Sequence, residues 1–204
     1  MVAAAIHACT AFAGTRRLAA GPVRDVARAV KIHVDAHPES QVLVFDHTTA
    51  QPVEFDLRGT VGDVLARLDP TAPSATQPAE SESRPRGPGR PKLGVIAREV
   101  TLLPRHWDWL AAQPGGASVT LRKLVEDARR AAEGADRRRV AQEAAYRFMS
   151  AMAGNAAGFE EATRALFAAD AVAFESLTQS WPADVRDFAR ELASRAFNPQ
   201  QEAA

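Results

Sequence analysis

Arg84, Arg86, Arg90 and Lys92 stand among Pro85, Gly87, Pro88, Gly89 and Pro91. Proline holds the backbone extended and glycine removes side-chain bulk, so the cations ride on a very thin strip. Such a strip fits the narrow minor groove of A·T-rich DNA, where the negative potential is enhanced and draws arginine in. In a G·C tract the guanine amino group obstructs the groove floor. A second set follows downstream: Thr101, Ser118, Arg122 and Lys123. Hydroxyls, helix-start amides and cations are the groups that hold phosphates. The chemistry implied is ionic recognition rather than bond making.

Other chemistries find less support. The chain lacks the nucleophile elbow, the phosphate-binding glycine loop, the zincin helix and a catalytic-cysteine context. Asp46 and Asp56 fall at strand ends, where aspartate usually forms turns. His33 and His37 have the spacing of a helical metal pair, but Pro38 ends the helix and no cysteine or third histidine stands near. No metal, no cofactor and no enzymatic activity are therefore expected. Cys9 is the single cysteine, which excludes an internal disulfide and a thiolate cage and suits a reducing compartment.

Formal net charge is zero over 204 residues. The charge is unevenly spread. Residues 84–139 hold 13 Lys/Arg against 6 Asp/Glu, whereas residues 1–83 hold 7 against 10 and residues 140–204 hold 5 against 9. Local field, not the total, decides whether a polyanion is attracted. No apolar run is long enough to span a bilayer, and Arg16 and Arg17 follow the Ala-rich start instead of preceding it, unlike a secretory signal. The expected location is cytoplasmic, at the nucleoid.

The elements that must position these residues are legible from their spacing. Thr10–Phe12 and Arg17–Ala19 flank Gly14 as a hairpin. Gly21-Pro22 opens a helix from Val23 to about His37, with Val23, Val26, Ala27, Val30 and Val34 on one face. Gln41–Asp46 reads as a buried strand and Gln51–Leu57 as an alternating one, joined by a second hairpin. Thr60 caps a short helix with Val61, Val64, Leu65 and Leu68 inside. Residues 69–91 carry six prolines among small and polar residues, the composition of a mobile linker.

Glu99–Leu103 alternates as a short strand. Pro104 opens a helix carrying Trp107, Leu110 and Ala111, with Trp107 expected in the core. Pro114-Gly115-Gly116 is a hinge. Ser118 is the N-cap expected for a second short helix with Leu121, Leu124, Val125 and Ala128 on one face. Beyond it, residues 137–197 read as helices. Their expected core stripes are Val140, Ala144, Phe148 and Met152; Phe159, Ala162, Leu166 and Phe167; Phe174, Leu177 and Trp181; and Val185, Phe188, Leu192 and Phe197. Gly154, Gly158, Asp170 and Pro182 separate them. Arg137-Arg138-Arg139 reads as a solvated face.

Gly89-Arg90-Pro91, with its neighbouring cations, resembles an AT-hook, although Pro88 stands where the core of that motif more often has Arg. Residues 98–132 resemble the ribbon-helix-helix family, most specifically at Gly116-Ala117-Ser118-Val119-Thr120-Leu121. That resemblance implies a homodimer whose paired strands enter the major groove. By position, Val100 and Leu102 would face the dimer core, and Ala97, Glu99 and Thr101 would face DNA. The amides around Ser118 and Val119 would lie at a phosphate. Ala97 and Glu99 make poor base readers, so low specificity is implied. Across nearly the whole chain, Thr-Ala-Phe-Ala-Gly (10–14), Leu-Val-Phe-Asp (43–46), Gly-Arg-Pro-Lys-Leu-Gly (89–94), Leu-Leu-Pro-Arg-His-Trp-Asp-Trp-Leu (102–110) and Ala-Tyr-Arg-Phe-Met-Ser (145–150) resemble an uncharacterised bacterial family, domain of unknown function 2239. That resemblance implies no activity.

The expected class is α+β. It comprises a small α+β domain at 1–69, a disordered Pro/Gly-rich basic linker at 70–94, a ribbon-helix-helix-like unit at 95–132 and a helical region at 133–204. The function expected is double-stranded DNA binding of low specificity, regulatory or nucleoid-associated, by a homodimer. Its alternative is a protein-protein interaction module or adaptor without DNA contact.

Overall fold

The computed structural model describes residues 8–68, 96 and 98–198. The chain divides into two compact units. One joins residues 1–72 to 132–204, and the other spans 73–131. The fold is mixed: a small antiparallel sheet, with helices making up most of the C-terminal half.

In the first unit, β1 (Ala8–Ala13) lies between β2 (Arg16–Pro22) and β3 (Val42–Asp46). Gly14 turns the β1–β2 hairpin with φ +58, a conformation cheap only for glycine. The β1–β2 register slips between Ala11 and Phe12, so Leu18 is the extra residue of a bulge. Side chains of a strand alternate between faces. Cys9, Ala11 and Val44 therefore face one way, and Thr10, Phe12 and Phe45 the other, in the register Thr10↔Phe45 and Ala11↔Val44.

The first face packs on α1 (Val23–Ala36), where Val26 and Val30 are buried against Cys9, Ala11 and Val44. Helix α2 (Val61–Arg67) lies beside α1. Its start is a reciprocal capping box: the Asp63 N–H donates to Thr60 Oγ1, and Thr60 N–H donates to Asp63 Oδ2 at 2.8 Å.

The opposite face packs on the C-terminal helices: the end of α4 (Gly116–Ala153), α5 (Phe159–Phe167), α6 (Ala171–Leu177) and α7 (Ala183–Phe197). Phe12 lies 5.3 Å from Phe148 and 5.8 Å from Phe188, and Phe45 lies 5.2 Å from Phe148. Each such tilted or edge-on pair adds about 0.5–1.5 kcal/mol beyond the area it buries. Trp181 is buried and its indole N–H donates to the Ala157 carbonyl at 3.0 Å.

Several expectations change. Regions 1–69 and 133–204, read as separate parts, share one core, because the second face of the sheet needs the helices to cover it. Gln51–Leu57 is not a strand. Its pairing narrows to a bridge at Phe45↔Pro52, flanked by the bonds from Val53 N–H to the Val44 carbonyl and from Asp46 N–H to the Gln51 carbonyl, and beyond Val53 no further backbone bond to β3 extends a ladder among the described residues. The first C-terminal stripe shifts, with Ala141, Ala144, Ala145, Phe148 and Met149 buried and Val140 exposed. Phe167 is exposed and packs tilted against Tyr146, with ring centroids 5.8 Å apart.

In the second unit, α3 (Pro104–Ala111) begins with proline at its first turn and with the extended Leu103 as its cap. Gly115 (φ +88) and Gly116 (φ +74) form the hinge into α4. Helix α4 starts at Gly116, so Ser118 lies in its first turn instead of capping it, and the helix does not stop near Arg130. Glu99–Leu103 forms no strand in the single chain. A strand is defined by its ladder, and a lone segment has none. Trp107 is exposed, not buried, as is Trp109.

Candidate nucleic-acid interface

The cations of α4 fall into two groups by their partners. Arg129 and Arg130 both reach Glu126, at 2.8 and 3.5 Å. Hydrogen bonding from Arg129, with its charge and the hydrogen bond from Arg130, holds the Glu126 carboxyl below its usual range. Arg137 pairs with Glu133 at 2.8 Å, and Arg139 with Asp136 and Glu143 at 3.1 and 3.4 Å. Arg138 is exposed between them with no ion pair among the described residues, and the three form the solvated face expected of Arg137-Arg138-Arg139. Arg122 and Lys123 differ from the paired arginines. Both are exposed in the first three turns of α4, with no ion pair among the described residues.

Ser118 is exposed one turn before Arg122, so hydroxyl, helix-start amides and guanidinium share the start of α4. Thr101 is exposed in the segment leading to α3, near the exposed Glu99 in sequence. Arg84, Arg86, Gly89, Arg90, Pro91 and Lys92 lie outside the described residues, as do Ala97 and the expected linker.

The first unit holds a polar cluster that sequence spacing did not bring together. His47 follows β3, and its Nδ1 lies 3.2 Å from Thr10 Oγ1 while its Nε2 lies 2.9 Å from Glu191 Oε1. Arg195 donates to the His47 carbonyl at 3.0 Å, and His47 N–H donates to the Ala8 carbonyl at 3.1 Å. Arg147 donates to the Thr49 carbonyl in the same turn. A hydroxyl, an imidazole and a carboxylate in a row resemble a nucleophile triad. Thr10, however, is fully buried and out of reach of a substrate. The arrangement clamps the turn onto α7. Residues 10, 47 and 191 are too far apart in sequence for any local pattern to announce it.

Asp46 and Asp56 act as turn formers. Asp46 Oδ1 accepts from the Thr48 and Thr49 N–H groups at 3.0 and 2.6 Å, and Asp56 grips Arg58 at 2.7 Å. The Arg58 hydrogen bonds hold the Asp56 carboxyl far below its usual range. Burial, then the neighbouring Asp46 charge, pushes the Cys9 thiol up to about 11, so it is an inert core residue. His33 and His37 stack at 4.6 Å, with His33 Nε2 2.9 Å from Ser40 Oγ. Among the described residues no group of three His, Cys, Asp or Glu side chains could hold a metal ion. Among them, too, no helix is long and apolar enough to cross a membrane.

The molecule is thus an α+β protein in which a three-stranded sheet is packed between helices, with a second, helical unit whose Arg122 and Lys123 have no ion pair among the described residues. The chain belongs to the family described as uncharacterised proteins conserved in bacteria, domain of unknown function 2239, whose sequence profile matches residues 8–193. No curated protein and no solved structure matches the chain.

Proposed function

We propose that the protein binds double-stranded DNA with low sequence specificity, as a homodimer, in a regulatory or nucleoid-associated role. Arg84, Arg86, Arg90 and Lys92 occupy an A·T-rich minor groove. Arg122, Lys123 and the amides near Ser118 hold adjacent phosphates, and Thr101 lies toward the duplex. One observation carries this reading: Arg122 and Lys123 are exposed near the start of α4 with no carboxylate partner among the described residues, unlike Arg129, Arg130, Arg137 and Arg139 further along it, within a segment that holds 13 cations against 6 acids. The binding is electrostatic and needs no cofactor.

The test is a salt titration on A·T-rich and G·C-rich duplexes. Binding is expected to prefer A·T and to weaken steeply with salt. The Arg90→Ala variant, or deletion of residues 84–92, should abolish the A·T preference. Arg122→Ala with Lys123→Ala should reduce the salt slope by about 2, roughly one for each phosphate no longer neutralised. No duplex binding in dilute buffer would end the reading. It would favour the protein-interaction alternative, which the exposed Tyr146–Phe167 pair supports.

A further inference from the structure

The amphipathic pattern of α3 accounts for one of its tryptophans and not for the other. Leu110 is the buried residue of the helix. Trp107 and Ala111 lie on one side of it, about 60° and 100° round the helix, and continue the apolar face. Trp109 lies about 100° round the other way. Its neighbours there are Arg105, one turn before, and Gln113, one turn after, each about 40° away. The Gln113 side-chain amide turns back and donates to the Trp109 carbonyl at 3.1 Å. Arg105 is exposed and forms no ion pair among the described residues, and neither does Asp108, the nearest acid on the helix. Trp109 itself is 51% exposed. A large indole set among polar side chains does not belong to the apolar stripe and contributes nothing to burying it.

We propose that Trp109 and Arg105 form a contact for single-stranded DNA, with an unpaired base stacked on the indole and a phosphate held by the guanidinium. Stacking of this kind needs an exposed flat ring beside a cation, and α3 supplies both one turn apart. Charge favours this occupant. Residues 73–131 hold 10 Lys/Arg against 6 Asp/Glu, so the unit attracts a polyanion. The surroundings of the ring disfavour a protein partner. A tryptophan that anchors a protein interface sits within contacts that exclude water, whereas Arg105 and Gln113 keep this ring in a polar setting. The inference shares with the proposed function the premise that this unit meets DNA. It goes beyond that reading by assigning a site for a base outside the duplex.

The test is a titration of the full chain with an oligothymidine strand, read by tryptophan emission. The tryptophans are Trp107, Trp109 and Trp181, and Trp181 is only 3% exposed, so quenching reports on α3. Quenching is expected in the unaltered protein and equally in Trp107→Phe, where Trp109 is the exposed reporter. An abasic strand of the same length, with phosphates but no bases, should not quench. Anisotropy of a labelled strand should show binding weakened about tenfold or more in Trp109→Ala. Because Trp109 is exposed, that change removes no packing, and unchanged helical content by circular dichroism checks this. Arg105→Ala should lower the salt slope by about 0.7, the share of one phosphate on a single strand. Emission unmoved by the oligothymidine, quenching as deep with the abasic strand, or full affinity in Trp109→Ala each overturns the assignment. A chain that binds duplexes while its emission ignores the single strand overturns this inference alone. A chain quenched by the single strand that ignores duplexes overturns the duplex reading alone.

Discussion

Asp46 shows how a side chain that resembles a catalytic group can be spent on a turn. Burial pushes its carboxyl up, but the N–H and hydroxyl of Thr49, the N–H of Thr48 and the nearby His47 outweigh that and hold it below its usual range. A carboxylate held low in the folded state stabilises the fold above its unfolded value of about 3.9, and the contribution fades as pH falls through the lower folded value. Partial exposure tempers the gain, so Asp46→Asn should cost about 1 kcal/mol at neutral pH. The expected result in urea melts is a wild-type advantage that is present at pH near 7 and shrinks as the solution is acidified below about 4. An advantage unchanged by acid would mean that the charge on Asp46 contributes nothing to the turn. The same reasoning sets aside Thr10 and His47, whose contacts fasten β3 to α7.

At the scale of elements, glycines decide where α4 begins. Gly115 has φ +88, and a Cβ there would meet the Val119 side chain at 3.1 Å. Gly134 is an ordinary helical residue inside α4 with open space around it. Gly115→Ala should therefore destabilise by about 1–3 kcal/mol. Gly134→Ala should stabilise by about 0.5–1 kcal/mol. Opposite shifts in thermal midpoint are the expected result, and a stabilising Gly115→Ala would refute the left-handed hinge. Much of this local grammar was legible in the sequence: the Gly14 hairpin, the stripe of α1, the Thr60 cap and the Pro114-Gly115-Gly116 break all follow from near-neighbour chemistry. The continuous α4 was not, because a single helical glycine is weak punctuation and Ser118 and Arg130 resemble helix ends. The face of Phe167 was also unreadable, since α5 is short and two adjacent apolar residues, Leu166 and Phe167, leave its inward side ambiguous. The His47 cluster, joined only by folding, had no local signal at all.

At the scale of the whole molecule, the sequence suggested a boundary between the first 69 residues and the last 72, and packing removes it. The reason lies in the period of the strands. Cys9, Ala11 and Val44 find cover from α1, so that face of the sheet is complete within its own stretch of chain. Phe12, Phe45 and Ala50 find cover only from Phe148, Phe188 and their neighbours, more than ninety residues on. A fragment of residues 1–72 would leave two phenylalanines wet, a loss of roughly 3–5 kcal/mol for each by analogy with truncating it, which rivals the stability of a domain this small. Expressed alone, that fragment is expected to lack a cooperative melt. Mixed with residues 132–204 it should recover one, with the two pieces co-eluting as a single species. Phe148→Ala in the second piece, which empties the centre of the aromatic cluster, should prevent the recovery. Should residues 1–72 fold on their own with native-like dispersion in an NMR spectrum, the shared core would be an accessory contact and the early boundary would stand.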